Sequence, residues 1–346
     1  MEKKNLAAVV IICAALLFAG CAPAGGQPEP TPQATPPAGV TETPLKLNEG
    51  TEWELDARLT MPADAKGPVP AVVLVHGSGP SDMNETVGAC APFCDLAYGL
   101  AKRGVAVLRF DKRTFTYGSR IAKDHLEDFT AREESVDDAI AAAAFLRNDP
   151  QIDATRIVGI GHSLGATLIP RIDAAGADFF AMVLLAGTPR PLWEVIYDQN
   201  MAVLDRVPAE NRASTKKTIE DELHKARRLG AMTDAEAKET AVFGMPGYYF
   251  KDLDKHMPQD ILIETEKPVL ILQGTDDFQV SPEKDFGLFK TVLGDRPDTT
   301  FKLYDGLNHL FIESTGPNRG TVNEYATPGH VSEEVLDDVA KWILSL

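Results

Sequence analysis

Residues 157–165 read IVGIGHSLG, and this stretch decides the fold that the sequence predicts. An apolar run over 157–160 has the look of a buried strand, the next five residues match a GxSxG turn, and a helix-like segment follows from Ala166. A serine at such a strand-to-helix turn has strained backbone angles, and the flanking glycines remove Cβ atoms that would collide with strand and helix. Ser163 is therefore the predicted nucleophile.

Strand-like and helix-like runs alternate along much of the chain. Most of the strand-like runs are short and continuously apolar, which indicates strands buried on both faces, as in a parallel sheet. The predicted class is α/β, with an open, mostly parallel sheet and helices on both faces. The predicted strands are 53–60, 71–76, 105–110, 156–160, 181–186, 269–273 and 300–304, and the predicted helices are 92–103, 130–146, 164–175, 282–293 and 332–346.

The alternation breaks over about 189–258, where the chain is charged and helical in pattern, with no convincing strand. Prolines and glycines divide this region into about three helices. An insertion at this point predicts a helical cap over the ligand crevice. Its aromatic residues either pack the cap or contact an apolar acyl or aryl group; they are Trp193, Tyr197, Phe243, Tyr248, Tyr249 and Phe250.

A carboxylate and a histidine follow the serine in separate loops after predicted strands. Asp276 and Asp277 come after strand 269–273, and His309 comes after strand 300–304. Adjacent side chains leave a loop in different directions, so only one aspartate can meet the histidine. His330, which opens the last helix, is the alternative base. Paired aspartates also bind calcium, but six or more oxygens are needed and no spaced ligand set is present, so neither metal nor cofactor is predicted.

These motifs resemble those of bacterial α/β-hydrolase serine esterases, close to the dienelactone-hydrolase-like and acyl-peptidase-like groups. The turn GTDDFQV at 274–280 is similar to the GxxDxxV turn that carries the acid in that family, which favours Asp277. The glycine-rich loop HGSGP at 76–80 matches the loop that supplies the second oxyanion donor, which implies the Ser78 amide beside the Leu164 amide. The resemblance implies an α/β-hydrolase fold and cleavage of a small ester through an acyl-enzyme on Ser163, with His309 as the base.

The same three residue types leave other functions open. A Ser-His-Asp set serves exopeptidases and amidases as well as esterases. A non-catalytic surface lipoprotein that binds a ligand through a hydrolase fold is a further alternative. The esterase is favoured because no propeller or other gating domain precedes the hydrolase region.

The N-terminal residues predict export. Lys3 and Lys4 precede an apolar run over 6–18 that is too short to span a bilayer, as in a signal peptide over 1–20. LFAGC at 17–21 resembles a bacterial lipobox and predicts lipidation of Cys21, although an ordinary secretory signal remains an alternative. The Pro-rich residues 21–44 predict a disordered tether, and 45–346 the hydrolase domain. We expect a lipid-anchored envelope protein, at the outer membrane if the host has one, because the aspartate associated with inner-membrane retention is absent after Cys21.

Charge and cysteine content limit the partners. The net charge of −17 argues against nucleic acid and against adsorption to anionic lipid, so membrane contact is predicted only through the lipid anchor. Cys90 and Cys94 are the cysteines of the mature domain. Export favours a disulfide between them, although the bond needs a distorted first helical turn; two free thiols packed as small hydrophobic groups are the alternative.

Overall fold

The computed structural model describes residues 35–346, and their central feature is one large twisted sheet. Eight strands form it, in the order β1-β2-β4-β3-β5-β6-β9-β10, and two short strands pair separately as β7-β8. The strands are β1 Val40–Leu47, β2 Leu55–Pro62, β3 Val69–Val75, β4 Ala106–Phe110, β5 Ile152–His162, β6 Ala181–Leu185, β7 Ala241–Val242, β8 Met245–Pro246, β9 Val269–Gly274 and β10 Thr299–Tyr304.

The sheet is parallel from β4 to β10, and the first two strands run antiparallel at one edge. Every residue of β4, β6 and β9 is buried, whereas most residues of the edge strand β1 are exposed or half-buried. Helices cover both faces, so the central strands can be continuously apolar. The predicted class, an α/β-hydrolase fold with a mostly parallel sheet, is confirmed.

Helices form one layer on each side of the sheet. Alternate residues of β3 divide between two apolar clusters, Val73 facing the side of α3 and α4, and Val72 facing the side of α1 and α11. The helices are α1 Pro92–Ala101, α2 Arg113–Asp124, α3 Asp137–Asn148, α4 Leu164–Ile172, α5 Leu192–Ala202, α6 Ala209–Ala226, α7 Asp234–Glu239, α8 Gly247–Asp254, α9 Pro258–Glu264, α10 Gly287–Leu293 and α11 Glu333–Ser345.

The predicted boundary between the tether and the domain, at residue 44, is wrong, because the edge strand β1 begins at Val40. Residues 40–44, assigned to the tether, pair with β2 along their whole length. The strand left no apolar signal because only Val40 and Leu47 at its ends are buried. Pro44 is tolerated because an edge strand has one side without ladder partners. The predicted signal peptide, the lipidation site Cys21 and the tether up to residue 34 lie outside the described residues.

The region predicted as a cap lies between β6 and β9. It holds the helices α5 to α8, with α9 beginning at its end, and the small β7-β8 hairpin, where about three helices and no strand were predicted. The hairpin has only two residues per strand, too few for a period-two pattern. Phe243 and Phe250 of this region are fully buried in the apolar cluster shared with α3 and α4.

Candidate active site

The turn at Ser163 joins β5 directly to α4. Ser163 has φ 54° and ψ −119°, a backbone conformation that costs a non-glycine residue about 1–3 kcal/mol. A Cβ on Gly161 would lie 2.2 Å from the Gly165 carbonyl oxygen, and one on Gly165 would lie 2.0 Å from the Val75 carbonyl oxygen. Both positions therefore require glycine, and strand, turn and helix can pack closely enough to hold Ser163 in its strained conformation.

The predicted functional residues meet at the carboxyl edge of the sheet. Loops that follow β3, β5 and β10 contribute to a cavity of about 310 Å³. Ser78, Ser163, Leu164 and His309 all line it. Ligands bind at this edge in open α/β sheets because the loops that follow adjacent strands converge there.

Asp277 is held in place by four hydrogen bonds. Its Oδ2 accepts from His309 Nδ1 at 2.7 Å and from Gln273 Nε2 at 2.7 Å. Its Oδ1 accepts from the backbone amides of Gln279 at 2.8 Å and Val280 at 2.9 Å. With Nδ1–H donating to Asp277, Nε2 is the nitrogen of His309 that can accept a proton.

The two alternative residues lie elsewhere. Asp276 contacts Arg319, and its backbone amide donates to the Leu307 carbonyl. His330 is solvent-exposed and pairs with Asp95 at 2.9 Å. The structure therefore brings His309 and Asp277 together, and neither Asp276 nor His330 lines the cavity.

The backbone amides near Ser163 differ in whether they already have an acceptor. The Gly77 amide donates to Glu85 Oε1 at 2.6 Å and is therefore engaged. Ser78 and Leu164 line the cavity, and within residues 35–346 no acceptor is recorded for either of their amides. Both are available to a ligand oxygen beside Ser163.

A buried ion pair forms part of the cavity wall. His162 Nδ1 is 2.9 Å from Glu85 Oε2, and its Nε2 is 2.9 Å from the His309 carbonyl oxygen. Burial opposes charge on both groups. The charge and hydrogen bonding of Glu85, with the His309 carbonyl, nevertheless raise the pKa of His162, and His162 in turn lowers the pKa of Glu85. The sequence analysis missed Glu85, which belongs to no motif.

His76 fixes the loop after β3 in a neutral form. Burial lowers the pKa of His76 to about 4, and the nearby Lys112 ammonium contributes. The neutral ring donates from Nε2 to the Asp82 carbonyl oxygen at 3.0 Å. The side chain supports the loop that carries Ser78.

The cavity wall is mostly apolar and neutral. Helix α5 of the cap supplies Leu192, Val195 and Ile196, and Tyr325 lies on a separate segment before α11. The six aromatic residues that the sequence singled out in the cap do not line the cavity, and all six pack in or against the apolar core. The segment around Tyr325 is a short 3-10 helix, Val322–Ala326, and it was missed because five residues are too few to show a periodic pattern.

Cys90 and Cys94 are free thiols in the structure, which corrects the predicted disulfide. Cys90 precedes α1, and its Sγ lies 3.5 Å from the Thr327 carbonyl oxygen. Cys94 lies within α1, where its thiol interacts with Tyr98. The two side chains therefore have different neighbours, as in the alternative of two packed free thiols.

Residues 35–346 contain no cluster of three or more His, Cys, Asp or Glu side chains arranged to hold a metal ion. In the same range, no helix has both the length and the apolarity needed to cross a bilayer.

The chain is similar in sequence to known hydrolases. Residues 72–319 match the alpha/beta hydrolase family. Esterase EstD from Thermotoga maritima is 37% identical over 291 residues, which cover 84% of this chain and 65% of that protein. The chain thus spans just under two thirds of the length of this relative.

Solved structures of low sequence identity share the fold. Est1E from Butyrivibrio proteoclasticus with bound ferulic acid superposes with a TM-score of 0.54 at 17% identity, over 87% of this chain and 98% of that one. A Pyrococcus furiosus esterase gives 0.51 at 15% identity, over 88% and 91%. With its sheet, its Ser163 turn and the match over residues 72–319, the chain belongs to the alpha/beta hydrolase family.

Proposed function

We propose that this protein is a serine esterase that cleaves small neutral carboxylic esters through an acyl-enzyme. The observation that carries the proposal is one shared cavity, lined by Ser163, by His309 paired with Asp277, and by the amides of Ser78 and Leu164. A nucleophile, a base oriented by a carboxylate and two amide donors are the groups that acyl transfer requires.

The proposed mechanism assigns one role to each group. His309 Nε2 takes the Ser163 proton as Oγ attacks the ester carbonyl carbon, and the amides of Ser78 and Leu164 hold the oxyanion. His309 then protonates the departing alcohol, which leaves Ser163 acylated. Water, deprotonated by His309, attacks the acyl group in the second half, and the acid departs as the proton returns to Ser163.

The charge of the cavity favours esters over exopeptidase substrates. An exopeptidase must bind a charged chain terminus, and burying an ammonium or carboxylate is costly unless an opposite charge meets it. Of the described residues that line the cavity, Glu85 is the one carboxylate, and it is engaged by the Gly77 amide and by His162. No lysine or arginine is among them. A neutral substrate therefore fits best.

Cavity size and relatives agree with a small ester. A volume of about 310 Å³ is near the lower end of the range for ligand pockets. The relative from Thermotoga maritima is named an esterase, and this chain spans 65% of it.

We also propose, from the N-terminal sequence alone, that the protein is exported and lipid-anchored through Cys21.

The direct test replaces the nucleophile. Ser163→Ala is expected to remove nitrophenyl-ester hydrolysis and labelling by a fluorophosphonate probe, while the circular dichroism spectrum stays unchanged. Ser135→Ala is the matched control, since Ser135 is a buried serine outside the cavity. Retained turnover in Ser163→Ala would disprove the assignment.

Substrate class is tested on the same preparation. An acyl-chain-length series of nitrophenyl esters is compared with aminoacyl nitroanilides that carry a free amino terminus. We expect turnover of short and medium esters and none of the nitroanilides. Efficient nitroanilide cleavage would support the exopeptidase alternative, and absence of both activities with no probe labelling would support the non-catalytic alternative.

A further inference from the structure

A buried lysine lies directly behind the loop that carries Ser78. Lys112 is 1% exposed. Its Nζ donates to the carbonyl oxygens of Gly77 at 2.7 Å and Gly79 at 3.1 Å, and lies 2.6 Å from Glu134 Oε1. A lysine ammonium has three N–H donors, so all three are used.

The contact with Gly77 bears on the Ser78 amide through one peptide unit. The Gly77 carbonyl and the Ser78 N–H belong to the same planar peptide group, and in a trans peptide they point in opposite directions. An ammonium fixed at the carbonyl end therefore fixes the direction of the N–H at the other end. A cation at the carbonyl also polarises the group and strengthens the N–H as a donor.

The neighbouring peptide is held from the other side. The Gly77 amide donates to Glu85 Oε1 at 2.6 Å, and Glu85 is in contact with His162 under the Ser163 turn. Gly77 is thus held at its N–H by a carboxylate and at its carbonyl by an ammonium. Glycine has little intrinsic preference among backbone conformations, so the orientation of this loop depends on such contacts.

The carboxylate that contacts the ammonium is in turn bonded to the cap. Glu134 lies just before α3 and is 3% exposed. Its second carboxylate oxygen accepts a hydrogen bond from the Tyr249 hydroxyl, and Tyr249 is a buried residue of α8. A chain of buried polar contacts therefore runs from Tyr249 through Glu134 and Lys112 to the Gly77 carbonyl.

We propose that Lys112 is a positioning residue that orients and polarises the Ser78 amide for oxyanion stabilisation, and that Glu134 and Tyr249 hold its ammonium in place. The proposal rests on the proposed function, because it requires an oxyanion beside Ser163. It assigns a role in the rate of the chemical step to residues that do not contact substrate.

The test neutralises the buried pair as a unit, since removing one partner alone leaves an uncompensated charge. In Lys112→Met/Glu134→Gln, we expect kcat for a nitrophenyl ester to fall about 10- to 100-fold and KM to change less than about 3-fold. The loss is smaller than the roughly 10²- to 10³-fold loss for a deleted oxyanion donor, because the Ser78 amide remains.

A second measurement distinguishes a loss of orientation of the Ser78 amide from a general disturbance of the site. An alkyl trifluoromethyl ketone mimics the tetrahedral intermediate. The Ser163 oxygen adds to its carbonyl carbon, His309 takes the serine proton, and the resulting oxyanion lies between the two amides. Its affinity is expected to fall by about the same factor as kcat. The affinity of the matching alcohol, which forms no adduct, is expected to stay within about 2-fold.

The neighbouring buried pair provides the control. Arg113 and Asp138 are in contact at 2.5 Å and buried to a similar extent, but neither touches the Ser78 loop or lines the cavity. Arg113→Met/Asp138→Asn is expected to lose stability and keep kcat and ketone affinity within about 2-fold. Tyr249→Phe, which keeps both charges, is expected to lower kcat by about 2- to 5-fold with KM unchanged.

Unchanged kcat and ketone affinity in a folded Lys112→Met/Glu134→Gln variant would overturn the proposal, as would an equal loss in the control. If that variant does not fold, Lys112→Arg is the variant that tests the proposal. It keeps the positive charge that faces Glu134, but a longer, planar group replaces the single nitrogen that donates to the two carbonyls. Wild-type kcat in Lys112→Arg would then overturn the proposal. Failure of the proposed function is distinct, since the wild-type protein would then show no Ser163-dependent ester hydrolysis.

Discussion

Two aspartate–histidine pairs in this protein have nearly the same contact distance and very different surroundings. Asp277 and His309 are 2.7 Å apart with 0% and 5% of their side chains exposed, whereas Asp95 and His330 are 2.9 Å apart and His330 is 85% exposed. The distance alone therefore does not identify a functional pair. Position distinguishes the two pairs, since of these two histidines it is His309 that follows the carboxyl end of a parallel strand and lines the cavity with Ser163.

The two aspartates also have different tasks. Asp277 receives four hydrogen bonds that fix its orientation toward His309. Asp95 accepts from the Val331 amide at 3.0 Å as well as from His330, and so holds the segment before α11 against α1. Burial raises the pKa of Asp95, although both hydrogen bonds oppose the shift. One pair thus serves the proposed chemistry, and the other anchors the last helix.

The largest effect is expected when the buried pair loses its base. In His309→Gln, no group can take the Ser163 proton, so kcat for a nitrophenyl ester should fall about 10⁴-fold or more. Steady-state kinetics with active-site titration provide the measurement.

His330→Gln is the matched control. It removes the exposed histidine of a surface pair, and such pairs contribute little to stability. We expect kcat within about 2-fold of wild type and a free energy of unfolding within about 0.5 kcal/mol. A large loss of kcat here, with activity kept in His309→Gln, would reverse the two assignments.

The next effect is expected at Asp277. The change Asp277→Asn would place an amide group where a carboxylate now accepts hydrogen bonds. If the amide oxygen stays with the two backbone amides, its NH₂ faces both Gln273 and His309, and His309 can meet it only with an unprotonated Nδ1. The proton then sits on Nε2, which cannot act as a base, so we expect a loss of kcat of about 10³- to 10⁴-fold in steady-state kinetics.

Asp95→Asn provides the comparison for this change. Its amide oxygen can still accept from Val331, so we expect kcat close to wild type and a modest loss of thermal stability. Equal losses of kcat in the two asparagine variants would contradict the distinction between the pairs.

A smaller effect, on stability, is expected from Glu85→Gln. His162 contributes stability that is fully present below its ordinary pKa of 6.5 and is lost as pH rises through its raised pKa. Glu85 contributes stability that is fully present above its ordinary pKa of 4.5 and is lost as pH falls through its lowered pKa. The pair therefore stabilises most between pH 4.5 and 6.5. Urea unfolding should show a loss of about 3 kcal/mol in the variant near pH ~5.5, shrinking on either side. A loss independent of pH would contradict the ion pair.

The sequence predicted the structure correctly where the environment of a short segment leaves a pattern within that segment. Continuous apolarity predicted β4, β6 and β9 because these strands are buried on both faces. A Cβ on either glycine beside Ser163 would lie 2.0 to 2.2 Å from a backbone carbonyl oxygen, so the turn requires both glycines and leaves a recognisable motif. Order along the chain then placed Asp277 and His309 in loops at the same edge of the sheet.

Contacts between distant segments left no such pattern. Glu85 lies in an irregular loop with φ 51°, and its partners His162 and Gly77 lie on other elements. Tyr249 was noted only as a cap aromatic, and its bond to Glu134 depends on how the cap packs. Such pairings are set by tertiary structure, and single-residue properties do not encode them.

The position of the cap between two neighbouring strands has a consequence for how this protein can diversify. Strands β6 and β9, which flank it in the chain, are hydrogen-bonded neighbours in the sheet, with Val183 opposite Leu270. The insertion therefore leaves and re-enters the scaffold at adjacent points, and lengthening such an excursion adds little closure entropy. Cap segments other than α8, whose Tyr249 contacts Glu134, can therefore be exchanged or resized by recombination with little effect on the loops around Ser163.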